Sequence, residues 1–320
     1  MEVRKLVKSG LSSYTIALPK EWIQRNNLTK GELIYLDEMA NKLIVSAKRT
    51  KEKEVGDDLV INTEGKNIRQ IKREIRSAYL NNYNRIFIKG SNLKLMAKDI
   101  KDDIHTLASL EVIEEANDKI TARSFLDFSH VSVSDILRRI DNITRSMFID
   151  SITLITESSQ EYDLAKLIID RDLDVNRLTF MIFKVLRLCS LDMYKSKKIG
   201  LDTVDLLKYW NITFIIEKIA DSLKRNARII AQINERKMKI NKKEMAKLLS
   251  DVKIAYENVM TAFYKKDHNL SDQVYLNRTV LIKNCDDFFE KNKSMEGAEY
   301  VGKLKSIISN TEDINKIIRF

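Results

Sequence analysis

The residues of this chain best suited to chemistry are acidic side chains that recur at helical spacing in its second half. Glu217 and Asp221 are four residues apart, so on a helix their carboxylates lie side by side. Both fall away from the apolar stripe of the same segment, and we expect them to point outward. Together with acids of a neighbouring helix they could hold a hard or borderline cation such as Mg²⁺, Mn²⁺ or iron, which oxygen ligands suit.

The same carboxylates have a second interpretation. Lys224 and Arg225 follow Asp221 at positions i+3 and i+4 and could neutralise it in solvated salt bridges. Asp202 could be a helix N-cap as readily as a ligand. Asp172 and Asn176 are also four residues apart and could belong to an ordinary charged face.

No pattern of a catalytic site accompanies these acids. The three histidines are far apart, and the chain has no Ser/His/Asp or Cys/His arrangement, glycine-rich phosphate loop or zinc-protease motif. We therefore do not expect an enzyme.

The elements that must position the acids are six long helices after residue 131. Only three of the eight glycines and no proline lie beyond residue 90, which favours long helices. Short breaks predict antiparallel neighbours, and hence two three-helix bundles over residues 126–238 and 239–320. The helix starts are predicted from capping patterns at Ser132, Ser158, Asp202, Asn241 and Ser294, with another start near Asn269.

Two apolar stripes at 3.6-residue spacing predict the core of the first bundle. A coiled coil is the alternative, but regularly spaced loops favour a globular bundle. One stripe comprises Leu164, Leu167, Ile168, Val175, Leu178, Ile182, Val185 and Cys189, and the other Ile212, Ile216, Ile219, Leu223, Ala227 and Ile230.

The part before the helices is different in character. Residues 1–50 contain four short strand patterns, at 2–7, 14–18, 32–37 and 42–47, and a short helix beginning at Pro19. So thin a sheet has little core and should need a partner chain. Residues 51–125 alternate strand and helix patterns and predict a small α/β connector. The fold class is thus α+β and multidomain.

Charge and composition indicate the kind of partner and the cellular compartment that suit this chain. The net charge of the chain is +10, with +4 in residues 1–50 and +5 in residues 236–320. In a segment as short as the first, this excess suits an acidic partner such as nucleic acid. The two cysteines, Cys189 and Cys285, have no paired spacing, which indicates a reducing compartment. No apolar run approaches 18 residues, so we expect a cytoplasmic protein that is not integral to a membrane.

The helical region resembles the PhoU phosphate-uptake regulators. The run from Asp163 to Leu178 is similar to that family's D-x-x-L-A and D-x-x-[IV]-[DN] patterns, and the run from Ile216 to Asp221 to its L-E-R-I-G-D stretch. The resemblance implies a pair of three-helix bundles with a multinuclear metal site on the outer face. The implied ligands are Asp172, Asn176, Asp202, Glu217 and Asp221.

Departures from the family pattern limit this implication to one metal site. In the first bundle Val204, Lys218 and Ala220 replace family residues. In the second bundle Asp267 matches the family, whereas the next ligand positions do not. Those positions hold Leu276, Val280, Lys305 and Ser309.

Residues 1–50 resemble the AbrB/SpoVT swapped-hairpin domains, which bind DNA and dimerise by interleaving strands. The resemblance lies in Val3-Arg4-Lys5, in the stretch from Ile16 to Glu21 and in the turn from Leu28 to Gly31. Only Arg4 carries over as a DNA contact, because Ile23 and Gln24 stand where the family has arginines. The further candidates by charge alone are Lys5, Lys8, Lys20 and Arg25.

Together these features predict a homodimeric regulator of phosphate uptake that binds double-stranded DNA and whose helical region senses a signal or docks. The alternative is an adaptor that does not bind DNA and uses its first 50 residues only to dimerise. Its helices would then bind a phosphate-transporter ATPase or a sensor kinase.

Overall fold

A computed structural model of the chain describes residues 3–39, 42–47, 58–157 and 161–319. These residues form two compact units that divide at residue 57. The predicted domain boundary at residue 50 and the predicted helix start at Ser158 lie outside the described residues.

The first unit consists of two separate β-hairpin ladders and one short helix. Strand β1 (Val7–Ser9) pairs antiparallel with β2 (Ser13–Thr15), then helix α1 (Lys20–Arg25) follows, and β3 (Tyr35–Met39) pairs antiparallel with β4 (Lys42–Ser46). Strand β1 begins where the predicted strand 2–7 ends, and β2 is shorter than predicted, because only residues 7–9 and 13–15 pair across the turn at Gly10. Strand β3 lies at 35–39 and not at 32–37, because its register with β4 begins at Tyr35. Gly10 adopts φ +81°, which glycine tolerates best.

The described residues of the first unit form no buried core. None of its described residues is buried, and α1 buries no side chain. A folded domain normally buries large apolar side chains, which stabilises it by about 25 cal/mol per Å² of apolar surface removed from water. Large apolar side chains are exposed instead, namely Val3, Leu6, Val7, Leu11, Tyr14, Ile16, Leu33, Leu36 and Leu43.

The second unit begins with an α/β layer that matches the predicted alternation. Its elements, in chain order, are β5 (Leu59–Asn62), α2 (Ile68–Leu80), β6 (Arg85–Lys89), α3 (Leu93–His105), β7 (Leu110–Glu115) and β8 (Lys119–Ser124). The sheet order is β5-β6-β8-β7, with β5 parallel to β6 and the other pairs antiparallel. Apolar residues of the strands and of α2 and α3, such as Ile75 and Ile88, form a core.

Seven helices follow in the described part of the second unit: α4 (Val133–Thr156), α5 (Glu161–Leu191), α6 (Met193–Lys198), α7 (Thr203–Glu235), α8 (Lys242–Lys265), α9 (His268–Lys291) and α10 (Met295–Ile318). The six long helices were predicted, and Ser132, Asp202, Asn241 and Ser294 cap four of them. Helix α9 begins at His268, next to the predicted start near Asn269, and Asp267 is its cap. The short α6 was not predicted; Asp192 caps it directly after α5.

The two predicted stripes form the interior of the helical region. Every residue of the α7 stripe is buried, and the α5 stripe is buried from Ile168 onward. Leu167 departs from the prediction, because it lies at the edge of the stripe in the second turn of α5 and remains partly exposed. One hydrophobic cluster includes residues from α4, α5, α7, α8, α9 and α10. No helix within the described ranges is long and apolar enough to cross a membrane.

A buried lysine lies where α5 meets the α/β layer. The side chain of Lys184 is 1% exposed; its Nζ donates a hydrogen bond to Ser124 Oγ over 2.8 Å and lies 4.2 Å from the centre of the Tyr79 ring. No ion pair with a carboxylate is found for it among the described residues. Burial therefore lowers the pKa of Lys184 to about 7.

We expect Lys184 to make stability depend on pH in the alkaline range. The folded pKa lies below the unfolded value of 10.5, so the unfolded chain binds more protons between pH 7 and 10. The free energy of unfolding should rise with pH there, by up to about 1.4 kcal/mol per unit. In Lys184→Met this increase should be absent. Urea titrations of both proteins from pH 6 to 10 measure it, and parallel curves would contradict the assignment.

Candidate functional site

The candidate site lies where α5 and α7 pack against each other. Asp172 and Asn176 are on adjacent turns of α5, and Glu217 and Asp221 are on adjacent turns of α7. The helices turn these side chains toward one another, since the apolar stripes beside them form the common core. With Lys224 of α7 they form a group that we call the carboxylate cluster.

Lys224 lies in the middle of the carboxylate cluster. Its Nζ is 2.7 Å from Asp172 Oδ2 on the neighbouring helix and 2.8 Å from Asp221 Oδ1 on its own helix. These distances are those of charge-assisted hydrogen bonds. The lysine therefore bridges two of the predicted metal ligands.

Two further contacts are made to the carboxylates that Lys224 bridges. Asn176 Nδ2 donates to Asp172 Oδ2 over 3.1 Å, so the amide presents its nitrogen to the carboxylate. Arg225 Nε is 2.7 Å from Asp221 Oδ2. Asp172 is 2% exposed and Asp221 is half-buried. The acids are thus turned into the helix interface, not outward as predicted.

The pKa values of the groups in the cluster are shifted in different directions. Burial alone would lower the pKa of Lys224, but hydrogen bonds to Asp172 and Asp221 raise it overall. Burial alone would raise the pKa of Asp221, but the hydrogen bonds and charges of Lys224 and Arg225 lower it overall. The pKa of Glu217 is raised, first by burial and then by the nearby charges of Asp221 and Asp172.

Asp202 is not part of the cluster. It is the N-cap of α7, where its side chain accepts from the backbone N–H of Asp205 over 2.8 Å. Fifteen residues of helix separate it from Glu217, which corresponds to about 22 Å at 1.5 Å per residue. The structure therefore brings together four of the five predicted ligands and assigns the fifth a capping role.

The cluster as built does not fit a metal ion. A cation coordinated by Asp172 and Asp221 would have to occupy the region of the Lys224 ammonium, and Asn176 offers its N–H₂ group to the cluster. Within the ranges described, no group of three or more His, Cys, Asp or Glu side chains is arranged to hold a metal. In the second bundle Leu276 and Val280 are exposed, and Lys305 pairs with Asp286.

The predicted DNA-contacting residues all lie at the surface of the first unit. Arg4 and Lys5 precede β1, Lys8 is in β1, and Lys20 and Arg25 are the first and last residues of α1. Lys8 is the register partner of Tyr14 across the hairpin, so both side chains are on the same face. All five basic residues are exposed.

A buried polar group between α4 and α8 was missed from the sequence. Asp141 is buried, and Arg145 Nε donates to its Oδ1 over 2.9 Å. Burial and the charge of Asp141 raise the pKa of Tyr264 on α8, whose ring lies 4.1 Å from the Arg138 guanidinium. The available signal was an aspartate directly beside Ile140 on the apolar face of α4.

Comparison with known proteins agrees with the helical architecture. Part of the chain is similar in fold to a solved structure described as PhoU from Pseudomonas aeruginosa, with a TM-score of 0.51 and 14% sequence identity. The match covers 58% of this chain and 93% of that chain, so the helical region has a PhoU-like fold. No protein-family model matches the chain, and no curated protein matches it.

The pairing of Lys224 with buried Asp172 predicts a large loss of stability when the lysine is removed. Lys224→Met leaves a carboxylate buried without its counter-charge, which typically costs about 3–5 kcal/mol. Asp172→Asn in the same chain should recover part of the loss, because the charge is removed with its partner. Urea unfolding of the two single variants and the double variant measures the coupling.

Lys218→Met is the matched control for this cycle. Lys218 is on the same helix but exposed, and it lies over the Phe214 ring at 4.3 Å. Lys218→Met should lower the free energy of unfolding by less than about 1 kcal/mol. Equal losses for the two lysines, or additive effects of Lys224→Met and Asp172→Asn, would contradict the bridge.

Proposed function

We propose that this protein is a DNA-binding regulator of phosphate uptake, in which the first unit dimerises and contacts DNA and the helical region receives the signal. The observation that carries the phosphate part is the PhoU-like fold of the helical region. The proposal is for a binding protein and not for an enzyme.

Dimerisation is inferred from the first unit. It exposes large apolar residues on every strand pair and buries none of its described residues, so it needs apolar surface from elsewhere. A second copy supplies a matching surface, because a two-fold interface uses the same residues twice. Short ladders at β1–β2 and β3–β4 are compatible with strands interleaved between two copies, as in the AbrB/SpoVT domains that the sequence resembles.

DNA contact is inferred from charge and position. Arg4, Lys5 and Lys8 are exposed basic residues in β1 and in the segment directly before it, and Lys20 and Arg25 lie at the ends of α1. Contacts of basic side chains with phosphates make affinity fall steeply with salt. A dimer presents this set twice, which suits two half-sites on a duplex.

The alternative remains an adaptor that binds no DNA. Ile23 and Gln24 of α1 stand where the swapped-hairpin family has arginines, and this departure favours the adaptor. Its helices would then bind a phosphate-transporter ATPase or a sensor kinase. Both proposed functions require a dimer, so only a measurement of binding to duplex DNA distinguishes them.

For the dimer, we expect the full-length chain to sediment as a dimer and Leu36→Asp to shift it toward monomer. Leu36 is in β3 and 57% exposed, so a charge there should oppose burial against a second copy. The matched control is Leu95→Asp on α3, 89% exposed in the second unit. Sedimentation of Leu36→Asp unchanged from wild type would contradict an interface through this ladder.

For DNA contact, we expect Arg4→Ala to weaken binding and to reduce its dependence on salt. Each phosphate contact contributes about 0.9 to the slope of log K against log salt, and a dimer loses two contacts. The slope should therefore decrease by about 2 in fluorescence anisotropy titrations on a duplex.

The control is Arg228→Ala, an exposed arginine of α7 outside the first unit, which should leave affinity and slope unchanged. If Arg4→Ala binds as wild type does, the assignment of Arg4 fails. Absence of duplex binding by wild type at low salt would favour the adaptor.

A further inference from the structure

The carboxylate cluster holds a cation that belongs to the chain itself. The PhoU-like resemblance implies a metal at this face of α5 and α7, whereas the structure shows the ammonium of Lys224 between Asp172 and Asp221. The positive charge of the cluster and the carboxylates that bind it are thus side chains of the same polypeptide.

We propose that Lys224 is the resident cation of the carboxylate cluster and takes the place of a metal ion, so that this bundle needs none. The ammonium is tethered to α7 and reaches Asp172 on α5, so it joins the two helices as a bridging metal would. This proposal concerns the helical region alone and does not depend on DNA binding.

The first support is the occupancy of the carboxylate oxygens. Lys224 engages Asp172 Oδ2 and Asp221 Oδ1, and Arg225 engages Asp221 Oδ2. A divalent ion would have to displace an ammonium whose effective concentration at the site is high because it is tethered. It would also have to bind next to two positive charges.

The second support is the burial of the Asp172 carboxylate, which requires a compensating positive charge. Its Oδ2 accepts from Lys224, whereas its buried Oδ1 has no hydrogen-bond partner among the described residues. A carboxylate that is 2% exposed is stable only beside a compensating charge. Lys224 supplies that charge, and no other cation is paired with Asp172 in the described ranges.

A third support comes from the direction of the amide. Asn176 donates its Nδ2–H to Asp172 Oδ2, which stabilises a carboxylate but would place an N–H group toward a bound metal. Metal ligation by Asn uses the carbonyl oxygen instead. The amide, the lysine and Arg225 all act as donors to the cluster.

The proposal is tested by Mn²⁺ binding to the full-length protein after treatment with a chelator. Free Mn²⁺ is followed by electron paramagnetic resonance, and melting is followed with and without the ion. Wild type should bind no Mn²⁺ at this cluster, and its melting temperature should not respond to chelator or Mn²⁺. Lys224→Ala removes the ammonium and should bind Mn²⁺ at least tenfold more tightly than wild type and melt higher in its presence.

Two controls identify the site of any gain. Lys218→Ala removes an exposed lysine of the same helix and should behave as wild type. Adding Asp221→Asn to Lys224→Ala should abolish the gained Mn²⁺ binding. If Lys224→Ala fails to fold, Lys224→Gln replaces it, because the amide can still donate to Asp172 while the charge is absent.

Two results would overturn the proposal. One is a wild-type protein that binds about one Mn²⁺ and loses it in Asp221→Asn, since a metal would then displace the lysine. The other is a folded Lys224→Ala or Lys224→Gln variant whose Mn²⁺ affinity equals that of wild type, since the cluster would then be no cation site.

Discussion

The packing of α7 is the constraint on which the helical region depends. This 33-residue helix contacts α4 and α5 of the first bundle and α10 of the second. Its buried stripe, which includes Ile216 and Leu223, therefore belongs to one core that serves both bundles. Side chains on the flank of the same helix are fixed in direction by that packing, and this is why Asp221 and Lys224 face α5.

Two lysines of the second unit, the buried Lys184 and the half-buried Lys224, show how charge burial is resolved in opposite ways. Lys224 has carboxylates on two sides, and its pKa is raised despite burial. Lys184 has a serine hydroxyl and an aromatic ring, and burial lowers its pKa to about 7. The first arrangement keeps a permanent charge between α5 and α7, and the second places a titratable group between α5 and the α/β layer. The interface between α5 and α7 therefore contains a lysine that stays charged, and the interface between α5 and the α/β layer contains a lysine that can lose its charge.

The architecture of the helical region could be predicted because periodicity and capping are local properties. Asp202 and Ser294 begin helices as their sequence context indicates, and the α7 stripe is buried throughout. The arrangement within the carboxylate cluster could not be predicted in the same way. Spacing brings Glu217 and Asp221 to one face, but only the tertiary approach of Asp172 places the Lys224 ammonium between Asp172 and Asp221. The burial of Lys184 depends likewise on contact with Ser124, 60 residues away in sequence.

The proposed function combines a PhoU-like helical region with a basic unit whose described residues form no buried core, and it depends on sequence-specific DNA binding by the dimer. The most direct measurement is fluorescence anisotropy of the full-length protein on duplex DNA from upstream of phosphate-transporter genes, compared with a scrambled duplex of equal length. The account predicts tighter binding to the upstream duplex at physiological salt, with affinity for both duplexes decreasing as salt rises. Equal affinity for the two duplexes throughout the salt series, or no binding at low salt, would contradict it.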